Sequence, residues 1–240
     1  MSGRSQRLCV WLSLLFVVFF GLGLILPGFL PPTDPSAGAG EVAAMYRTHT
    51  QAMRLGFLLL QASSALTALF VAVVSVQLKR IEGAHSPYAY VQMIAGGCGV
   101  LVLLIPSTLW IAAAFRPERD PQLILLLNDL AWLLLTPTFA CFCIQATAIG
   151  LAVLSDTRPD PVFPRWAGYL NLWVAVLSLP AGLIAFFRTG PFAWNGLISF
   201  WMVAIIFFAW LITMVVLLLK AIGQQEAGQS TGSPAVTGSA

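Results

Sequence analysis

In the stretch QLILLLNDLAWLLLTPTFACF, residues 122–142, the carboxylate of Asp129 stands beside the amide of Asn128 inside a run of leucines. A carboxylate in such a setting can work as a general acid or base when burial holds its proton, or it can pair with a cation and tie helices together. At the centre of a membrane helix an ionisable group costs roughly 2.5–3.5 kcal/mol, so it needs a partner or water. Further along, Cys141 and Cys143 stand two apart. Helical positions two apart point in different directions, and no second Cys or His pair accompanies them, so no metal site is expected. The sequence holds no Walker A loop, HExxH or GxSxG, which disfavours motif-borne nucleotide chemistry and triad hydrolysis. No cofactor is expected.

The elements that must carry these residues follow from composition. Of 240 residues, 59% are hydrophobic and 9% charged, against about a quarter charged in a soluble domain. Crossing about 30 Å of hydrocarbon takes about 20 helical residues, and six runs are long enough: 8–26, 55–78, 91–115, 123–154, 166–187 and 194–219. They are continuously apolar rather than alternating, which predicts an all-α polytopic membrane helix bundle with six transmembrane helices. Arg4, Arg7, Lys79, Arg80, Arg158, Arg165 and Lys220 collect on one side; Arg47, Arg54, Arg116, Arg119 and Arg188 fall on the other. Basic residues favour the inside, so the expected orientation is N-in and C-in. His49 and His85 then lie on opposite sides and share no metal ion. The net charge of +3 forms no basic stripe, and nucleic acid is not an expected partner.

Residues 1–222 read as a single membrane-embedded domain and 223–240 as a disordered polar tail. The basic start, apolar first run and Ala37-Gly38-Ala39 raise a cleaved signal peptide as an alternative, but the run exceeds the usual 7 to about 15 residues and a retained helix is expected. The external connection from Pro27 to Met53 opens with helix-breaking Pro and Gly and continues as EVAAMYRTHTQAMR. That second part predicts a short surface helix with a weak apolar face of Val42, Met45, Tyr46 and Met53, acting as a lid or a solvated connection. Cys9, Cys98, Cys141 and Cys143 all fall within spans, where thiols act as small apolar groups and imply no disulfide.

Small and polar residues recur at helical spacing: Asp129, Thr136, Ala140, Cys143 and Thr147 in the fourth span; Ala167, Asn171, Ala175, Ser178, Gly182 and Ala185 in the fifth; Ser64, Ala68 and Ala72 in the second. Such faces predict close helix packing. Pro106, Pro137 and Pro180 each remove a backbone donor from a span, so kinks are expected.

At about 1.5 Å per residue, Asp129 lies about 14 Å from Thr138, near the outer interface if the fourth span is centred there. The same level should hold Arg54, Gln61, Arg188 and Asn195. Two readings are open. In one, Asp129 pairs with Arg54 or Arg188 and only holds helices together. In the other, Asp129, Asn128, Arg188 and Asn195, with Arg54 and Gln61 nearby, line an outer pocket for a lipid head group or small molecule.

The fifth and sixth runs are joined by a short turn, RTGPFAWNG, and should form an antiparallel hairpin with aromatic residues near the interfaces. The segment GYLNLW…RTGPFAWNG resembles uncharacterised bacterial multi-spanning membrane proteins. The resemblance implies a bacterial inner-membrane location and no particular activity. The expected function is a membrane-embedded binding, accessory or scaffold protein for a lipid or small lipophilic molecule, working alone or as a homo- or hetero-oligomer in the bilayer. A small transporter or channel is the alternative, and a membrane enzyme using Asp129 as acid or base is a further one.

Overall fold

A computed structural model describes residues 3–83, 85–137 and 139–231 of the chain. Among these residues the α-helices are α1 (Gly3–Ile25), α2 (Ala39–Thr48), α3 (Thr50–Glu82), α4 (Pro87–Phe115), α5 (Pro121–Leu135), α6 (Phe139–Leu154), α7 (Arg165–Leu177) and α8 (Val203–Thr231). Taken as spans they give six segments long and apolar enough to cross a membrane, Gly3–Ile25, Thr50–Glu82, Pro87–Phe115, Pro121–Leu154, Arg165–Phe186 and Leu197–Gly228. The protein is a multi-pass membrane helix bundle.

The sequence places the ends of these helices by ordinary capping chemistry. Asp120 accepts from the Gln122 N–H (2.8 Å) and Pro121 follows it, which starts α5. Glu82 at the end of α3 accepts from the Tyr88 and Ala89 N–H groups (3.2 and 3.0 Å) and so caps α4 across the turn. Gly83 has φ +79°, a left-handed value that stops α3.

The three span prolines act differently. Pro106 is accommodated inside α4. Around Pro137 the fourth span is broken into α5 and α6, with Thr136 and Pro137 outside both helices, where the sequence predicts a kink in one helix. At Pro180 the fifth span tightens into a 3-10 helix, Leu179–Phe186. The sixth span opens with a π-helical segment, Leu197–Met202, anchored by the Ile198 N–H donating to the Pro191 carbonyl (2.9 Å).

Helix α3 packs against α1 and α4, and α6 packs against α4 and α7; α8 touches α1, α3 and α7. Where α6 and α7 cross, a Cβ on Gly150 would lie 3.0 Å from the Gly168 carbonyl, so both positions are small because backbones meet there. Ala167, Asn171, Ala175 and Ser178 of the fifth-span stripe are buried in packing. The second-span stripe is only partly a packing face: Ser64 is buried, but Ala68 and Ala72 are exposed and α3 buries Phe70, Val71, Val73 and Val74 instead.

The start of α1 and the end of α8 lie at one end of the bundle, the terminal end. There Gln77 donates to Gln6 Oε1 (2.6 Å) and Gln225 Oε1 (3.2 Å) and accepts from Arg80 (2.6 Å), joining α1, α3 and α8. Helix α8 therefore runs to Thr231, past residue 223, where the sequence places a disordered tail; Gln225 and Glu226 have partners on α1 and α3 that a linear reading cannot reveal. Residues 232–240 of that tail lie outside the described residues.

Candidate ligand-binding site

At the opposite, far end, α2 is a cap. Its residues Val42, Ala43 and Tyr46 are buried, and it packs chiefly on α5 rather than lying as a free amphipathic segment. The Tyr46 hydroxyl donates to Asn128 Oδ1 (3.2 Å). Burial first, and the charge of Asp129 second, hold the Tyr46 phenol well above its ordinary range, so it is a neutral donor. Here rings from the α1–α2 connection and from α2, α3, α4 and α5, namely Phe29, Tyr46, Phe57, Trp110 and Trp132, contact one another at centroid distances of 5.1–6.4 Å. Trp132 also stacks on Trp194 (6.1 Å, 12°), whose indole donates to the Thr33 carbonyl (2.7 Å). The plug is apolar enough that the indole nitrogens of Trp110 and Trp132 find no acceptor among the described residues.

The six residues singled out from sequence are all at this end, but they do not form one cluster. Asn128 is buried under α2, and Asp129 is half-buried beside it. Arg188 is exposed and attracts Asp129, yet among the described residues Asp129 forms no ion pair. Arg54 instead donates to the Ala114 and Phe115 carbonyls (3.1 and 3.0 Å), which are orphaned at the C-terminus of α4 and attract a cation. Gln61 donates to Thr108 Oγ1 (3.0 Å), a link between α3 and α4. Asn195 sits half-buried in the turn that begins at Gly190, whose φ of +82° needs glycine.

A large void lies within the bundle, between the aromatic plug and the terminal end. It has a volume of about 780 Å³ and is bounded by α1, α3, α4, α6, α8, the 3-10 segment that closes the fifth span and the π-helical segment that opens the sixth. Pockets for small molecules run from about 300 to 1,000 Å³. Phe16, Phe20, Phe70, Phe142, Phe207 and Trp210 give it an aromatic wall, and no charged side chain lines it among the described residues. Each wall hydroxyl is already donated to a main-chain carbonyl: Ser13 to Val10, Thr67 to Ser64, Thr136 to Trp132, Ser178 to Val174 and Ser199 to Pro180, at 2.6–2.8 Å. Ile205 (65% exposed) and Ile212 (54% exposed) belong to the wall and to the outer surface of α8, so the void reaches the lipid-facing side of the bundle.

None of the six residues singled out from sequence lines this void. It lies beside the break at Pro137, where Phe142 of α6 reaches Phe207 and Trp210 of α8 (5.3 and 5.0 Å), and of the residues named from sequence for other reasons Thr136, Cys141 and Ser178 line it. No protein-family model, curated protein or solved structure matches the chain.

Proposed function

We propose that the protein is a membrane-embedded binding protein for a lipid or small lipophilic molecule, with the 780 Å³ void as its site. The observation that carries this reading is an uncharged, aromatic-walled space at hydrocarbon depth that reaches the lipid-facing surface through Ile205 and Ile212. Such a wall suits apolar matter that partitions in from the bilayer, since it offers nothing to a hydrated ion. It also favours binding over a conduction path, which needs polar groups through the full thickness.

Filling the void tests the reading. A Cβ on Gly21 or Gly99 meets nothing within 4 Å, and both glycines line the space. Gly99→Phe should leave the thermal melting profile of the detergent-purified protein intact while removing lipophiles that native mass spectrometry finds on the wild type. An unchanged set of retained molecules in the folded variant would count against the site.

The proposal includes an N-in, C-in orientation in a bacterial inner membrane. The seven basic residues Arg4, Arg7, Lys79, Arg80, Arg158, Arg165 and Lys220 at the terminal end support the orientation. The GYLNLW…RTGPFAWNG resemblance supports the location. Single cysteines at Gly38 and Gly228, in a background without the four native cysteines, should label from opposite sides, Gly228 from the cytoplasm.

A further inference from the structure

The wall of the void carries one buried group whose hydrogen-bonding capacity is unspent. Gln145 on α6 is 7% exposed and lines the space. Its Nε2 donates to Gln92 Oε1 (3.3 Å), and Gln92 in turn donates to the Val71 carbonyl (3.0 Å) and to Ser75 Oγ. This chain fixes the Gln145 amide with its nitrogen toward α4. No described residue donates to Gln145 Oε1, and the atom is not sealed in protein as the Trp110 and Trp132 indole nitrogens are, so it opens on the void that Gln145 lines. An amide carbonyl that faces an apolar space at membrane depth has its acceptor capacity unmet until a donor enters that space.

The fold makes room for this amide. A Cβ at Gly96 would lie 2.6 Å from Gln145 Nε2 and 2.7 Å from Val71 Cγ2, so only glycine at that position admits the side chain. The place of Gln145 along the void is also defined. The wall runs along α1 from Ser13 to Leu24, along α4 from Ala95 to Leu103 and along α8 from Val203 to Ile212. Gln145 is the α6 residue of the wall nearest the terminal end, level with Ser13, Ala95 and Ile212, while Phe200 and Trp201 close the far end.

Accepting the void as a ligand site, as proposed above, we propose that its occupant is an uncharged lipid alcohol whose hydroxyl donates to Gln145 Oε1 and whose hydrocarbon body extends toward Phe200 and Trp201. A charged head group is excluded by a wall with no counter-charge. Esters, ethers and ketones offer only acceptors, and every wall hydroxyl is already donated elsewhere. A hydroxyl group supplies the missing donor to Gln145. Acyl-chain and isoprenoid alcohols share this chemistry.

The test uses full-length protein in nanodiscs and hexadecanol carrying a photoactivatable diazirine, either next to the hydroxyl-bearing end or at the methyl end. The first probe should crosslink at the level of Ser13, Ala95 and Ile212, and the second near Phe200 and Trp201; the reverse order, or no order, overturns the inference without any mutation. Unlabelled hexadecanol should compete at about tenfold lower concentration than hexadecyl methyl ether or palmitate, the ratio expected for one buried hydrogen bond. Farnesol run beside hexadecanol tells isoprenoid from acyl chains by which competes at lower concentration. Gln145→Met should still crosslink but lose the preference for alcohol over ether. Equal competition by alcohol and ether in the wild type sinks the hydroxyl assignment while leaving the site standing. No crosslinking within the wall by either probe, with Gly99→Phe indistinguishable from wild type, sinks the site itself.

Discussion

Arg7 Nη2 lies 2.8 Å from Glu226 Oε2, an ion pair that fastens the start of α1 to the end of α8 across 219 positions of sequence. Both side chains are more than a third exposed, 40% and 37%, so water screens them. The pair marks where the two helices meet rather than holding them there. Glu226→Gln should leave the melting midpoint of the purified protein unchanged, and a clear loss would show that the pair is stronger than its exposure allows.

Just inside that pair, Gln77 is fully buried and serves Gln6, Gln225 and Arg80 at once. Replacing it with leucine removes a shared partner from three polar side chains in a low-dielectric setting. Gln77→Leu should cost about 1–3 kcal/mol in a denaturant titration in detergent. A cost under about 0.5 kcal/mol would mean that water replaces the glutamine.

The loop between α6 and α7 is organised by one carboxylate. Asp156 accepts from Arg158 Nε and Nη2 (both 2.8 Å) and from the Arg158 and Val162 N–H groups (3.3 and 3.0 Å), with its own side chain 2% exposed. The Arg158 bonds are the main cause that lowers its pKa from 3.8 to about 2, against the opposing effect of burial. A folded pKa below the unfolded value stabilises above the unfolded pKa and fades as pH falls through the folded one. The contribution, about 2 kcal/mol, should be complete above about pH 5 and be lost between about pH 4 and pH 2. Melting midpoints of wild type and Asp156→Asn should differ at pH 6 and converge toward pH 2; a constant gap would contradict the assignment.

The six spans were legible because length and continuous hydropathy are local properties, and the capping of α5 by Asp120-Pro121 is local too. The fifth-span stripe was legible in the same way from Ala167 to Ser178, small residues at helical spacing that pack, whereas past Pro180 the 3-10 turn changes the phase and leaves Ala185 exposed. What was not legible depends on partners far away in sequence. Arg54 reads as a counter-ion for Asp129 until the carbonyls at the end of α4 are placed against it. Tyr46 reads as part of a weak amphipathic face until Phe29, Phe57 and Asn128 are placed against it. The void was hidden for a further reason: its wall consists of apolar residues that, in a linear reading, are indistinguishable from those that face lipid.

Asp129 gives a prediction that separates the two roles a membrane carboxylate can have. It is half-buried toward the far end of the bundle, forms no ion pair among the described residues, and lies outside the void. Asp129→Asn should therefore change stability by less than about 0.5 kcal/mol and leave lipophile retention as in the wild type. A loss of folded yield would require that Arg188 closes on it in the bilayer.

Two glycine-to-alanine changes should move stability in opposite directions. At Gly56 an added Cβ would lie 2.5 and 2.6 Å from Cδ and Cγ of Pro27, a ring that cannot rotate away, and 3.1 Å from the Gly23 carbonyl where α1 and α3 touch. The helices must separate to admit it, and Gly56→Ala should cost about 1–3 kcal/mol. Gly99, in the middle of α4, faces open space within the void. There alanine only restricts the unfolded chain and favours the helix, so Gly99→Ala should be neutral or stabilise by up to about 1 kcal/mol. Parallel thermal melts of the two variants decide the matter: equal losses would mean that the space beside Gly99 is closed in the bilayer, whereas opposite signs require α1 and α3 in contact at Gly56 and an open space behind α4.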